Sequence, residues 1–485
     1  SDLVQDLMCR GAVDTKALTA RHPDFRRARF LLIDILIRLE AYPAALDQIE
    51  DVLVRFGADA QLLAAAKAVR AKVGPLAIQG DKHPSLSLCM IVKNEEKYLA
   101  RCLTSLKPMV DEMIIVDTGS SDTTRDIAEV FGARVFDYEW HDDFAAARNH
   151  SLEQAQGDWI LVMDADEVIA PKDHSKIRKL LATKKDHPCA FMVTTRNYTD
   201  QYNIVGWEPN KREYPEAEAG TGWIPSEKVR IFPNDTNIRF EYPVHEVVGP
   251  ALSRMNMPII PSPYPVHHYG KLDLAKEKAK DVHYYEIGMN KINILKDDPV
   301  AIREMAIQAS KLGKFEDSID LWKQLIELET DNAKSYINLA SNYGKLAQYV
   351  DAKRAAQKAV KLSPQQKEGH LNLGLSELHL GNASKAEKLF QQIVKKHRGY
   401  YSAIFLLASS QLCQGKIKKA ADTLKPLKGH AVWDRISYAL QDLVESLGEA
   451  GRDEMTRNLI NGSMVLDCCN SKIMAYQHQV QNAAA

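Results

Sequence analysis

Along this 485-residue chain the apolar positions follow two rhythms. Between 84 and 270, short unbroken apolar runs occur at Leu86–Val92, Met113–Val116, Val135–Tyr138 and Ile160–Met163. Runs of this length read as buried strands. Between them, at 96–106, 123–131 and 143–155, apolar residues recur at helical spacing. Strand alternating with helix predicts a mostly parallel, doubly wound sheet. On either side the helical rhythm takes over. From 299 to about 430 it returns every 34 residues, with Gly313, Ala347, Gly381 and Gly415 in phase. Phe315, Tyr349, Ala383 and Ile417 share that phase, as do Ser318, Ala352, Ala386 and Ala420. Trp322, Ala356, Phe390 and Leu424 form a fourth register. The small residues let two helices touch, and the large ones fill the gap between neighbouring pairs. Pro364 ends the second helix of one unit.

This period resembles the tetratricopeptide repeat, whose helix pairs stack into a solenoid. Residues 26–57 carry the spacing once, through Tyr42, Ala45, Ile49 and Val52, and predict a degenerate repeat. The stretch 432–480 also reads as helical and is expected to cap the array, since a terminal repeat must cover its exposed core face. Five regions follow: a helical N-terminal region at 1–75, an α/β domain at 76–270, a helical connector at 271–298, four repeats at 299–430 and capping helices at 431–485. The segment 71–85, with Gly74-Pro75, Gly80 and Pro84, is the expected linker. The stretch 200–265 is rich in Pro, Gly, Tyr and Trp and yields no element order.

Charge narrows the classes of partner. With 63 basic and 64 acidic residues the net charge is −1, which argues against a general nucleic-acid binder or a polybasic membrane protein. No segment offers the roughly 18 consecutive apolar residues of a membrane span. The longest candidate, Phe30 to Leu39, is interrupted by Asp34 and Arg38. No secretory pattern opens the chain. The seven cysteines (Cys9, Cys89, Cys102, Cys189, Cys413, Cys468 and Cys469) form neither a CxxC pair nor a zinc spacing. Reduced thiols in a cytoplasmic protein are the expectation.

Two apolar runs end abruptly in acidic residues: Ile115-Val-Asp-Thr-Gly-Ser-Ser-Asp122 and Trp159-Ile-Leu-Val-Met-Asp-Ala-Asp-Glu167. Carboxylates at the C-terminal ends of parallel strands stand where open α/β sheets bind ligands. Asp164 and Asp166, one residue apart, can hold a Mg2+- or Mn2+-type ion through oxygen and leave positions open for phosphate. The pattern therefore predicts a site for a metal diphosphate.

Four segments carry a resemblance: Leu88-Cys-Met-Ile-Val-Lys-Asn-Glu-Glu96, Val116-Asp-Thr-Gly-Ser-Ser-Asp-Thr-Thr124, Ala147-Arg-Asn149 and Met163-Asp-Ala-Asp-Glu167. In order and spacing they resemble the signatures of family 2 glycosyltransferases of the GT-A fold. Fusion to tetratricopeptide repeats further resembles a bacterial subgroup that glycosylates peptides and proteins. The resemblance implies an α/β GT-A domain, a nucleotide-diphosphate sugar donor (UDP- or GDP-sugar), and Mn2+ or Mg2+ on Asp164 and Asp166. It implies that Glu95 and Asp117 contact the base or ribose, and that Arg148 contacts the nucleotide or its phosphates. Asp164 and Ala165 would also lie against the donor. Thr118 stands where many members carry a second Asp, which leaves the nucleotide open. Helix capping competes as an explanation for Asp117 and is the better one for Asp122.

An acceptor that attacks must lose a proton, so a general base is needed. Tyr242-Pro-Val-His-Glu246 resembles a His-Glu motif of this subgroup. Glu246 is the candidate base, and His245 a candidate for the metal shell or a donor phosphate. His268, in His267-His268-Tyr-Gly270, is a candidate third metal ligand, the alternative being a packed histidine. Trp207 and Trp223 are candidates to stack on a sugar or acceptor chain, with core packing as the alternative. Lys211-Arg212 and Lys228 read as a solvated face. The expected partner is a polypeptide acceptor in the groove of the repeats, modified on Ser/Thr or Cys, with an inverting outcome and with homodimerisation open. A transferase for a surface or lipid-linked glycan, and a scaffold with an inactive transferase domain, are the alternatives. No Gln-x-x-Arg-Trp signature follows the metal motif, which argues against a processive synthase.

Overall fold

The computed structural model describes residues 2–78, 84–184, 189–200, 207–244, 246–272, 282, 285–289, 298–428, 433–468 and 473, with the side chains of 2–9 and 434–435 excepted. The chain forms two compact units: 1–200 with 208–274, and 201–207 with 275–485.

In the first unit the apolar runs become strands β1 (Leu86–Val92), β2 (Glu112–Asp117), β3 (Arg134–Asp137) and β4 (Trp159–Val162). They lie parallel in the order β3-β2-β1-β4. Every residue of β2 and β4 is buried, as expected where helices cover both faces. The second half of the domain makes the sheet mixed. β8 (Gly222–Pro233) runs antiparallel to both β4 and β6 (Ala190–Thr199), and β10 (Val266–His268) runs parallel to β6. The two-residue β5 (Glu167–Val168) pairs antiparallel with β10. The region without a predicted order, 200–265, supplies β7 (Glu208–Pro209), β8 and β9 (Ile259–Pro261), and β8 joins β4 to β6: these pairings join residues distant in sequence, which local pattern does not encode.

The N-terminal helices do not form a separate body. α3 (Tyr42–Phe56) and α4 (Ala60–Val73) pack Ile49, Val52, Leu62, Leu63 and Ala66 into one core with α5 (Leu99–Leu106) and β1. Glu50 accepts hydrogen bonds from Lys107 Nζ (2.7 Å) and Arg70 Nη2 (3.1 Å), and Arg70 Nε donates to the Val130 carbonyl (2.8 Å). The expected linker is likewise packed, with Leu76 N bonded to the Gly132 carbonyl.

The second unit contains the repeats as four helix pairs: α10 (Pro299–Lys311) with α11 (Phe315–Leu328), α12 (Ala333–Lys345) with α13 (Tyr349–Leu362), α14 (Lys367–His379) with α15 (Ala383–Lys396), and α16 (Tyr401–Cys413) with α17 (Ile417–Leu424). Of the predicted connector, 285–289 is helical, and Tyr285 donates its hydroxyl hydrogen to Asp317 (2.9 Å); most of 273–297 lies outside the described residues.

The C-terminal helices α18 (Trp433–Glu449) and α19 (Asp453–Val465) differ from their predicted place. They do not simply extend the stack as a cap but lie along α16 and the end of α14. His379 Nε2 lies 3.0 Å from Ser446 Oγ, Arg452 Nε donates to the His379 carbonyl (2.8 Å), and Asn458 Nδ2 donates to the Cys413 carbonyl (3.2 Å). Gly462 makes the close approach to α16: a methyl group there would meet Leu412 Cδ2 at 2.6 Å. Ile436, Leu440, Leu443, Val444, Leu447, Leu459 and Ile460 are buried in the core shared with α14–α17. At about 1.5–3 kcal/mol per buried aliphatic side chain, their burial is worth on the order of 10–20 kcal/mol. The hairpin shares one core with the last two repeats.

Leu447→Ala should cost about 2–5 kcal/mol of unfolding free energy by denaturant titration. Tyr438→Ala, at a side chain 64% exposed on the same helix, should stay within about 0.5 kcal/mol.

Candidate functional site

The C-terminal edge of the parallel strands carries the polar cluster. Asp143 caps α7 (Phe144–Gln154), its side chain accepting from Ala146 N (2.9 Å), and so aims Arg148 at the sheet edge. The loop that bears Glu246 is tied to the same helix. Phe144 N donates to the Pro243 carbonyl (2.8 Å), and the Asn149 amide bonds both the Phe240 carbonyl (3.0 Å) and Phe240 N (2.8 Å). Tyr242 in that loop has φ 78°, a left-handed conformation that costs a bulky residue energy. Residues 98 apart in sequence thereby meet: Arg148 Nε donates to Glu246 Oε1 (2.6 Å), and Arg148 Nη2 to Asp164 Oδ1 (2.7 Å).

Asp164 sits among cations. Arg230 Nη2 and Lys228 Nζ stand 3.6 and 3.8 Å from its Oδ2. Burial favours the neutral acid, but Arg148, Arg230 and Lys228 outweigh it and hold the Asp164 carboxyl well below its ordinary range. For Arg148, burial opposes the charge, and Asp164 and Glu246 raise its affinity for the proton above that of a free guanidinium. Arg230 also pairs with buried Glu167, whose Oε2 accepts from Asp164 N (2.9 Å) and braces the acidic turn. Burial raises the Glu167 carboxyl above its ordinary range despite Arg230. The Nη1 of Arg148 and the Nε of Arg230 are buried without a hydrogen-bond partner.

Asp166 turns toward a different neighbour. Its Oδ2 lies 3.3 Å from His268 Nε2. The ring's other nitrogen, Nδ1, is 2.8 Å from Asn197 Oδ1, and the Asn197 amide nitrogen donates to the carbonyls of Thr195 and Ile224 and to Ser226 Oγ. That amide orientation places a ring hydrogen on Nδ1, so Nε2 is the nitrogen that faces the carboxylate. Two such donor atoms suit one hard cation: ligands about 2.1 Å from an ion and at right angles stand about 3 Å apart. Gly270 makes room for the pair, since a methyl group there would lie 2.5 Å from Asp166 Oδ2 and 2.7 Å from His268 Nε2. Among the described residues no three His, Cys, Asp or Glu side chains converge on one point. Asp164, expected as a second metal ligand, instead has both oxygens turned to guanidinium and ammonium groups, whose charge disfavours another cation there.

Other expected residues divide. Asp117, at the end of β2, accepts from Gly119 N (3.1 Å) and Ser120 N (2.8 Å) through Oδ1; it holds a turn and caps no helix. Asp122 accepts from Thr124 N (3.0 Å) at the start of α6 (Thr124–Val130), a capping role. Glu95 stands at the same rim, its backbone N bonded to Thr124 Oγ1 (2.7 Å) and its carbonyl starting α5. Thr118 donates to the Val92 carbonyl (3.1 Å) and locks the two strand ends together. Ala165 is buried beneath the acidic turn. His267 points to the opposite face, stacked on Tyr198, whose hydroxyl is 2.7 Å from Nδ1; burial brings its pKa down to about 4. His245 lies outside the described residues.

The two tryptophans belong to different units. Trp207 belongs to the second unit, buried with its ring 6.0 Å from that of Tyr401, and packing accounts for it. Trp223 is half-buried on β8, with the Arg196 guanidinium 4.7 Å from its ring. Sequence reasoning missed Arg230, Glu167 and Asn197. For Arg230 a signal existed, a lone cation inside the apolar run Val229-Arg-Ile-Phe-Pro233.

The model of the glycosyl transferase family 2 matches residues 87–244, and a tetratricopeptide repeat model matches 15–61 and 337–401. The chain is similar to a TPR repeat-containing protein of Synechococcus elongatus, 40% identical over 192 residues, which cover 38% of this chain and 42% of that relative. It is also similar to the SPbeta prophage-derived glycosyltransferase SunS of Bacillus subtilis, 30% identical over 165 residues, or 34% of each chain. Less than half the length of either relative is matched. Among solved structures, that of MamA aligns with a TM-score of 0.29 at 18% identity, covering 32% of this chain and 90% of that one.

Because the Asp164 carboxyl is depressed, its contribution to stability is complete above the unfolded value near 3.9 and is lost as pH falls through the folded value. Asp164→Asn should lower the unfolding free energy at pH 7 by about 2 kcal/mol, less than for a fully buried pair because part of the side chain stays in solvent. The gap between variant and wild type should begin to narrow below about pH 4 in urea titrations.

Proposed function

We propose that this chain, in which a glycosyl transferase family 2 domain is joined to tetratricopeptide repeats, transfers a sugar from a nucleotide-diphosphate sugar to a polypeptide. The observation that carries the reading is the junction of two adjacent groups at the sheet's C-terminal edge. One is the ion-linked Glu246–Arg148–Asp164 series, the other the Asp166–His268 pair.

Each residue has work suited to its chemistry. Asp166 and His268 would hold Mn2+ or Mg2+, which when bound supplies Lewis-acid stabilisation of a departing diphosphate. Arg148, with one buried guanidinium nitrogen lacking a protein partner, has a hydrogen left for a donor phosphate oxygen. Asp117 and Glu95, at the rim of β2 and β1, stand where a base or ribose would lie, and the backbone at Ala165 borders the donor. Glu246 keeps a second oxygen beside the one bound to Arg148 and takes the proton of the acceptor. A Ser/Thr oxygen or Cys sulfur then bonds to the anomeric carbon as that carbon's bond to the diphosphate oxygen breaks. The electron pair leaves with the diphosphate, and direct displacement inverts the centre. Trp223 offers a ring face to an acceptor or sugar.

The test is hydrolysis of UDP- and GDP-sugars with Mn2+, with Mg2+ and with EDTA. Turnover should need the metal. His268→Ala and Asp166→Ala should each lower kcat by about 100-fold or more and weaken Mn2+ binding measured by paramagnetic resonance. Glu246→Gln should lower transfer by about 100-fold or more with Mn2+ binding unchanged. Metal-independent turnover, or full activity of Asp166→Ala, would remove the proposed roles.

A further inference from the structure

We infer that the repeats receive a polypeptide over only half of their length, on the α10–α12 face that bears Val300, Ile307, Lys311, Lys334, Ser341 and Lys345, and that the segment taken there is acidic. The occupant's being the acceptor rests on the function proposed above; the location does not.

Equivalent positions of a repeat should be equally exposed if the same face is open throughout. Here they are not. Along 307, 341, 375 and 409, each 34 apart, Ile307 is 42% exposed, Ser341 exposed, Leu375 half-buried and Ser409 1% exposed. Along 311, 345, 379 and 413, two exposed lysines give way to His379 at 8% and Cys413 at 3%. The change marks where α18 and α19 lie on the array, and the bonds of Ser446 and Arg452 to His379 and of Asn458 to Cys413 fall on that second register. The aliphatic side chains that seat this hairpin are buried in the core it shares with α14–α17, which covers that part of the face. An incoming chain is left with the face of the first two repeats.

That face has a definite chemistry. Positions 334, 338, 341 and 345 follow helical spacing and form one stripe, as do 300, 304, 307 and 311. Lys334 and Lys345 are exposed on it, while exposed Lys311 and the face's acid, half-buried Glu304, are each already engaged. Ile307 and Val300 expose apolar surface between the cations. Positive charge around apolar positions complements an acidic segment with interspersed aliphatic residues.

The experiment measures binding of the full chain to three fluorescent 12-residue peptides, alternating Leu with Glu, Gln or Lys, by anisotropy at low and raised salt. The Glu peptide should bind, with affinity falling as salt rises. Lys345→Glu and Ile307→Glu should each weaken it about 10-fold, and Lys334→Glu serves as a second charge variant. Lys361→Glu, on another face, should leave it unchanged. Nucleotide-sugar hydrolysis in the same samples should be equal for all variants; its absence from the wild type would overturn the transferase reading while leaving the docking result legible. No preference for the Glu peptide, or equal binding by Lys345→Glu, overturns the inference. So does a Lys345-dependent dimer in sedimentation, which would assign the face to a second copy, or Lys345-dependent binding to anionic vesicles with none to peptide.

Discussion

Arg148 carries a charge into a buried place at the sheet edge, and an unpaired ion there would cost several kcal/mol. The cost is offset because two carboxylates arrive from different parts of the chain: Asp164 from the turn after β4 and Glu246 from a loop of the domain's second half. Everything else at the sheet edge is arranged around that guanidinium. The cap of Asp143 aims it, the Asn149 amide brings the Glu246 loop to it, and Arg230 with Glu167 braces the turn that presents Asp164. Because one charge is shared by two acids, a change at any of the three positions alters the other two.

The same sharing separates the two aspartates of the acidic turn. One residue apart, Asp164 and Asp166 look interchangeable as ligands, yet Asp164 faces three cations and Asp166 faces one imidazole. Asn197 holds that imidazole through Nδ1, so a residue of β6 sets which nitrogen of a residue on β10 faces Asp166. The two carboxylates thus stand in different surroundings: one neutralises buried positive charge, and the other faces a single imidazole. In the second unit a comparable economy applies. The hairpin that covers α14 and α16 completes a core the four repeats alone would leave open, and in doing so it buries His379, Ser409 and Cys413 on that face.

Sequence periodicity determined a good deal. The four apolar runs became β1 to β4; β1, β2 and β4 are buried on both faces, as a continuous apolar stretch requires, while β3 is a half-buried edge strand. The 34-residue phase became four helix pairs, because the small and large positions recur where helices touch. The acidic ends of β2 and β4 lie at the sheet edge where Arg148, Asp164 and Glu246 meet. What tertiary structure alone decided were matters of pairing across distance: the antiparallel β8 beside β4, the meeting of Glu246 with Arg148, the opposite faces taken by His267 and His268, the assignment of Trp207 to the repeats, and the course of the C-terminal hairpin along the array. Local spacing encodes which side of its own element a residue occupies. It carries no record of which distant element will lie against that side, and that choice fixed the partners of every charged group in the site.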